Sequence, residues 1–432
     1  MTSNLQKILN ESSLKNFKLN LTFSNLLIFI SWFGLILITN LYSRFYYYGL
    51  SINFAKLLIF ISLFVGLSLF LKEKVIRLNT NVLAAIAIIY LHAMFSDHTK
   101  IAVLSYSAFY CMLIHYLSVN WYQIIFKQYL WTCKLIAFFA LVDFLSFNLL
   151  GDFIFAFRDP RYGLCVSNWC QYFPQIMTIF DEPSHMVFYL LPSFMYYLSS
   201  YLEKNENLLY FLIIFLSLIS TLSTTSVIVI SLVSFFYFFR VRRLLFKKIV
   251  MLLLFILIAY IFSESYIWKI QYIFMENWNS KTFTFSSSAP YRMLIDSLNG
   301  AAINNFIIGS GLYNVNQVLI NLLDDPNMMS YYLSEGILDI NTGPYEKNTG
   351  DGWPGVGLIR LLFGYGIVLL LLISTLLYCG KLKEASSNIG FAAIFTVFLM
   401  WLKIVATIEL PLAIFFIFGL VEYKSNLAIK LR

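Results

Sequence analysis

Apolar runs of about 20 residues follow one another along most of this 432-residue chain. A bilayer core is about 30 Å thick, and a helix needs roughly 20 apolar residues to cross it. Backbone polar groups inside lipid must bond within the protein, which leaves only helices and closed barrels. A barrel would read as alternating segments of roughly 10 residues, and these runs do not alternate. The expected fold class is therefore an all-α integral membrane protein. Composition agrees: 12% of residues are charged and 60% hydrophobic, against about 25% charged in soluble domains.

About twelve transmembrane helices are expected, at 24–43, 51–71, 81–97, 101–119, 132–150, 184–201, 207–222, 224–239, 247–263, 355–378, 389–405 and 407–422. Orientation follows from Lys and Arg, which concentrate on the cytoplasmic side. Lys7, Lys15 and Lys18 precede the first run, and Lys72, Lys74 and Arg77 follow the second. Arg240, Arg242, Arg243, Lys247 and Lys248 fill one later connection; Lys381, Lys383, Lys424, Lys430 and Arg432 come near the end. Alternation puts all of them on one face, so both termini are expected in the cytoplasm. The first 20 residues are polar and no Ala-x-Ala site follows the first run, so no cleavable signal peptide is expected. The net charge of +8 is scattered over these edges; it marks membrane orientation, and no nucleic-acid partner is expected.

The organisation that results has five parts. Residues 1–150 form an N-terminal five-helix membrane region. Residues 151–183 form an outer loop, and 184–263 carry helices six to nine. Residues 264–354 form a large outer, periplasmic loop, and 355–432 carry the C-terminal membrane helices. Tyr46, Tyr47, Tyr48, Trp169, Trp268 and Trp353 flank the outer surface, where aromatic anchors belong.

Both outer loops carry residues suited to anion chemistry. Arg158 and Arg161 lie within Phe157-Arg158-Asp159-Pro160-Arg161. Paired guanidinium groups match phosphate with fixed, bidentate donors; the structural alternative is an ion pair to Asp159 or Asp152. Phe180-Asp181-Glu182-Pro183-Ser184-His185 opens the sixth span. Pro183 suits a first helical turn. Acids beside it are favoured by the helix dipole, so capping competes with catalysis as the role of Glu182. His185 is costly at the membrane edge unless it faces a polar cavity.

In the large loop, Arg292 precedes Ile307-Ile308-Gly309-Ser310-Gly311-Leu312, and Asp351 lies between Gly350 and Gly352. Arg360 is about one turn into the next span, either functional or snorkelling to the interface. No Walker A loop, HExxH or CxxC pattern occurs, and neither a metal site nor a cofactor is expected. Asp143 in the fifth span is expected to pair with Lys134 or Arg360, and Glu409 with Lys403. His92, His115, Cys111, Cys133 and Cys379 read as packing residues. Cys165 and Cys170 share a loop, as a disulfide or as two thiols.

These pieces, in this order, resemble the bacterial O-antigen polymerase and ligase superfamily. The match is carried by the arginine-bearing loop, then Phe180–His185, then Thr221-Leu222-Ser223-Thr224-Thr225-Ser226. Arg292 with Ile307–Leu312 and Asp351 with Leu358–Gly366 complete it. The resemblance covers roughly residues 150–370. It implies a metal-independent, inverting glycosyltransferase of the bacterial inner membrane, acting on undecaprenyl-diphosphate-linked oligosaccharide in surface polysaccharide or lipopolysaccharide biosynthesis. Membrane lipid and a chain-length regulator protein are the further partners it implies. Ligases of this superfamily resemble one another in a histidine late in the large loop; this chain has none between residues 186 and 432, and Asp351 occupies a comparable place. The polymerase is therefore expected over the ligase. A flippase or other transporter of lipid-linked oligosaccharide is the rival of another class. With no metal, Arg158, Arg161, Arg292 and Arg360 are expected to hold the diphosphate. Asp351, Glu182 or His185 is expected to take the acceptor proton.

Overall fold

The computed structural model describes residues 23–33, 44–47, 50–72, 75–80, 101–155, 176, 178–180, 183–204, 207–221, 380–382, 421–423 and 426–430, with single positions at 84, 87, 88, 226, 230 and 249. Wherever side chains are described within an element, that element is helical. The helices are α1 (Phe23–Trp32), α2 (Phe54–Lys72), α3 (Ile101–Leu150), α4 (Pro183–Lys204) and α5 (Leu208–Ser220). Among the described residues one helical stretch, Met112–Leu150, is long and apolar enough to cross a membrane.

Three short antiparallel ladders are present among the described residues, where the sequence predicts none. β1 (Arg44–Tyr47) pairs with β2 (Leu50–Asn53), Tyr47 opposite Leu50. The two-residue connection Tyr48-Gly49 and the Phe, Tyr and Ile content around it are hairpin chemistry, so α2 begins only at Phe54. β3 (Val75–Asn79) pairs with β6 (Asn426–Lys430), and β4 (Gly380–Leu382) with β5 (Val421–Tyr423).

The largest departure from expectation is α3. Residues 120–131 were expected to connect two spans, yet Ile101–Leu150 is one helix of 50 residues. At 1.5 Å per residue it is about 75 Å long. Its sequence contains no Gly or Pro, so nothing breaks it; Asn120, Gln123, Lys127 and Gln128 are polar but helix-compatible. Gly151 ends it. With φ at +76° it turns left-handed, and its N–H returns to the Phe147 carbonyl at 2.9 Å, the usual glycine cap.

The core is built on α3 and α4. Every residue of α4 from Met186 to Ser200 is buried, as for a helix surrounded on all sides. Phe194 packs on Phe211 and Phe215 of α5, with ring centroids 5.7 and 6.2 Å apart. Gln128 of α3 pins α1: its Oε1 accepts from Trp32 Nε1 at 2.7 Å, and its Nε2 donates to the Asn25 carbonyl at 2.9 Å. Gly66 lets α2 approach α3 closely; a Cβ there would stand 2.9 Å from a methyl of Leu113. Outside this core, Phe64, Phe138, Leu145 and Leu149 are exposed, an apolar surface of the kind lipid covers.

Asp143 corrects one half of a second expectation, the pairing with Lys134. It does not pair with Lys134, which lies nine residues earlier along α3. Its Oδ1 accepts the N–H groups of Ile154 and Phe155 at 3.1 and 2.7 Å. Lys134 instead places its ammonium 3.5 Å from the ring centre of Tyr210 and 5.5 Å from that of Tyr197. Arg360 lies outside the described residues.

Candidate functional site

The site begins where the chain re-enters the core ahead of α4. Ile176, Thr178 and Phe180 are all fully buried. Pro183 opens α4, as expected of a residue with fixed φ and no N–H to leave unpaired. His185 falls in its first turn, so it is held on a buried helix while Asp181 and Glu182 precede it in sequence. The positive end of that helix favours the acids.

The stretches of chain just ahead of two motifs meet here. The Ile176 N–H donates to the Ser220 carbonyl at 3.2 Å. Ser220 is the last residue of α5, and its carbonyl is one of those that helix termini leave open. Thr221, which starts Thr221–Ser226, follows it and is fully buried, as is Ser226. The segment leading into Phe180–His185 is thus tied to the segment leading into Thr221–Ser226. Hydroxyls along this end of α5 bond back to their own helix: Ser217 to Ile214, Ser220 to Ser217 and Thr221 to Leu218, at 2.7–2.8 Å.

Below this point α4 is fastened to α3 through a carbonyl. Pro192 lies inside α4; it has no N–H and its ring crowds the preceding turn, which loosens helix bonds there. The Tyr189 carbonyl, three residues before it, accepts from the Tyr129 hydroxyl and from the Cys133 thiol, the latter at 3.9 Å. The Tyr129 and Tyr189 rings meet edge to face at 5.3 Å, and Phe180 leans on Tyr189 at 5.7 Å. Cys133 is buried, as expected of a packing residue, but it also donates. Sequence reading missed Tyr129 and Tyr189. Nothing in the sequence marks that contact: the missing N–H of Pro192 opens the Phe188 carbonyl, four residues back, and not that of Tyr189.

Of the residues expected to carry chemistry, Arg158, Arg161, Glu182, Arg292, Asp351 and Arg360 lie outside the described residues, as do Cys165, Cys170, Lys403 and Glu409. His185 is placed on α4 by its backbone alone. Among the described residues, no three His, Cys, Asp or Glu side chains come together. Comparison with family models, with curated proteins and with solved structures finds no match.

Proposed function

We propose that this chain is a multi-pass glycosyltransferase of the bacterial inner membrane that polymerises oligosaccharide repeat units carried on undecaprenyl diphosphate. The observation that carries the reading is the junction of Ile176 with Ser220. It joins the roots of two of the motifs on which the resemblance rests, at the entrance to a buried helix that bears His185. An acceptor hydroxyl attacks the anomeric carbon of the donor sugar, and the bond to the diphosphate breaks with inversion. Undecaprenyl diphosphate leaves carrying the negative charge, and the acceptor proton passes to a base.

In this reading Arg158, Arg161, Arg292 and Arg360 bind the diphosphate and stabilise the charge that develops on it. Asp351, Glu182 or His185 takes the proton. Lipid tails lie between helices, against apolar surface such as that around Phe138 and Leu145.

Deletion of the gene, read by gel electrophoresis of surface polysaccharide, tests the activity. Loss of the ladder with a single repeat unit retained on the lipid core is the expected result. Loss of every repeat from the core would point to a ligase or a flippase instead. Complementation tests the residues. Arg158→Ala and Arg292→Ala should each abolish the ladder while protein still accumulates in the membrane, and Lys should rescue poorly because a point charge does not reproduce a bidentate fork. Asp351→Asn keeps turn chemistry but removes a proton acceptor, so turnover should fall about 10²-fold or more if Asp351 is the base.

A further inference from the structure

Lys134 lies inside the stretch Met112–Leu150 that is long and apolar enough to cross a membrane. In lipid a charge on its own is costly. Lys134 is half-buried against α5, its ammonium 3.5 Å from the ring centre of Tyr210 and 5.5 Å from that of Tyr197. Those ring faces attract a cation, but they offer no oxygen acceptors to its three N–H groups. No carboxylate among the described residues pairs with it. Asp143, on the same helix, bonds to Ile154 and Phe155 instead. The cation is held in place, and among the described residues its charge is not matched.

The rim of this spot is open. Trp131, one turn before Lys134, is 43% exposed, Tyr210 37%, and Phe138, one turn after, 54%. Residues three and four apart share a helix face, so Trp131, Lys134 and Phe138 line one strip of α3 beside Tyr210. Trp, Tyr and Lys around one exposed spot are the composition of a membrane edge, where a ring meets apolar surface with its body and water with its polar tip. The helix α5 starts at Leu208, two residues before Tyr210, so the spot lies near the connection from α4 to α5. Ser220, which meets Ile176, is the last residue of α5, about 15 Å further along its axis. The two places are at opposite ends of one helix, and a diphosphate received at the Ser220 end does not reach Lys134.

We propose that Lys134, with the Trp131 indole N–H and the Tyr210 hydroxyl beside it, holds the headgroup phosphate of an anionic phospholipid at the membrane surface. The ammonium supplies charge to the phosphate, the two aromatic side chains supply donors, and Phe138 supplies apolar surface to the acyl chains. A lysine can reach the headgroups by snorkelling alone. Here the Tyr197 and Tyr210 rings fix where the ammonium emerges, which makes the place a site for one lipid. The assignment rests on the membrane reading and stands without the polymerase reading.

Native mass spectrometry of the purified full chain in detergent, titrated with one lipid at a time, tests this. The probes are phosphatidylglycerol, which is anionic, phosphatidylcholine, which has a phosphate but no net charge, and undecaprenyl phosphate. The wild type should bind one phosphatidylglycerol about tenfold more tightly than phosphatidylcholine. Lys134→Met, similar in shape and uncharged, should lose that preference, and Lys134→Arg should keep it. Trp131→Phe combined with Tyr210→Phe keeps both rings and removes both donors. That double variant should also bind phosphatidylglycerol more weakly, and it serves where the Met variant does not fold. A Met variant with undiminished preference would overturn the proposal, as would a wild type with none. Tighter binding of undecaprenyl phosphate, lost in the Met variant, would overturn it too, because the polyprenyl carrier would then be the occupant. A chain that stays in solution without detergent would remove the membrane reading itself.

Discussion

Asp143 lies eight residues before the glycine that ends α3, and its carboxylate holds the chain that follows. The Oδ1 atom takes the N–H groups of Ile154 and Phe155. That contact folds the chain back so that Phe155 stacks on Phe139 at 4.3 Å and Phe153 on Phe147 at 4.8 Å. An acid in an apolar run does read as an exception from sequence. What sequence alone could not supply is the partner, because backbone N–H groups are present at every position and leave no mark. The first prediction follows. Asp143→Ala should lower the stability of the purified protein by about 1 kcal/mol, since two part-buried amides lose their acceptor. Asp143→Asn keeps a carbonyl oxygen at Oδ1 and should cost clearly less. Thermal unfolding in detergent measures both, and an Ala variant as stable as the wild type would show that the two bonds contribute nothing. The same anchor sits just ahead of Arg158 in sequence, so in the polymerase reading the Ala variant should also weaken the gel ladder more than the Asn variant does.

At the scale of elements, hydropathy located the helices well and their ends poorly. The runs expected at 51–71, 184–201 and 207–222 appear as α2, α4 and α5, each within a few residues. Pro183 as the start of α4 was legible, because proline's fixed φ suits a first turn. The entry into α2 was misjudged, because Tyr46, Tyr47 and Ile52 serve a hairpin as readily as a membrane edge. Residues 120–131 were misjudged because polarity was taken for a loop. Helix continuity depends on propensity and on the absence of breakers, and neither is reported by hydropathy. Of the candidate site, the order of motifs was legible, while the Ile176–Ser220 junction and the Tyr129–Tyr189 contact depend on pairings distant in sequence. Gln123 is exposed at the middle of the disputed stretch and decides between loop and helix. Gln123→Pro should cost about 3 kcal/mol or more, because it removes a helix bond and clashes with the preceding turn. Gln123→Ala should be close to neutral. A proline variant that accumulates and melts like the wild type would mean that the chain turns there.

For the whole molecule, a continuous α3 changes the count of crossings. In the proposed membrane reading a continuous Ile101–Leu150 would supply one crossing where two were expected. The ladders fix a parity: β3 pairs with β6, β4 with β5, and only two residues separate β5 from β6. Residues 75–79, 380–382, 421–423 and 426–430 are therefore neighbours, and their surroundings in sequence are rich in Lys and Arg, which in the proposed membrane reading puts them on the cytoplasmic side. Between residues 79 and 380 the number of crossings must then be even. The eight runs expected there become seven once α3 is a single helix, so one interval does not change sides. By the same rule Arg240, Arg242, Arg243, Lys247 and Lys248 would put their connection in the cytoplasm. Counting back from it through 224–239, α5 and α4 puts residue 152 outside, and one step further along α3 puts residue 101 inside. That reading puts Asn79 inside as well, so the run expected at 81–97 is the one it no longer counts as a crossing. In the reading proposed above the chain would then cross ten times, with both ends of the sequence in the cytoplasm and the arginine-bearing 151–183 segment on the substrate side. Single cysteines introduced into a cysteine-free background test the scheme in cells with a permeable outer layer. An impermeant thiol reagent should label Asp152→Cys and leave both Asn79→Cys and Ile101→Cys unlabelled until the membrane is opened. Labelling of Ile101→Cys in intact cells would restore a crossing between 79 and 101. With α3 continuous it would also put residue 152 in the cytoplasm, away from any diphosphate carried on the outer leaflet.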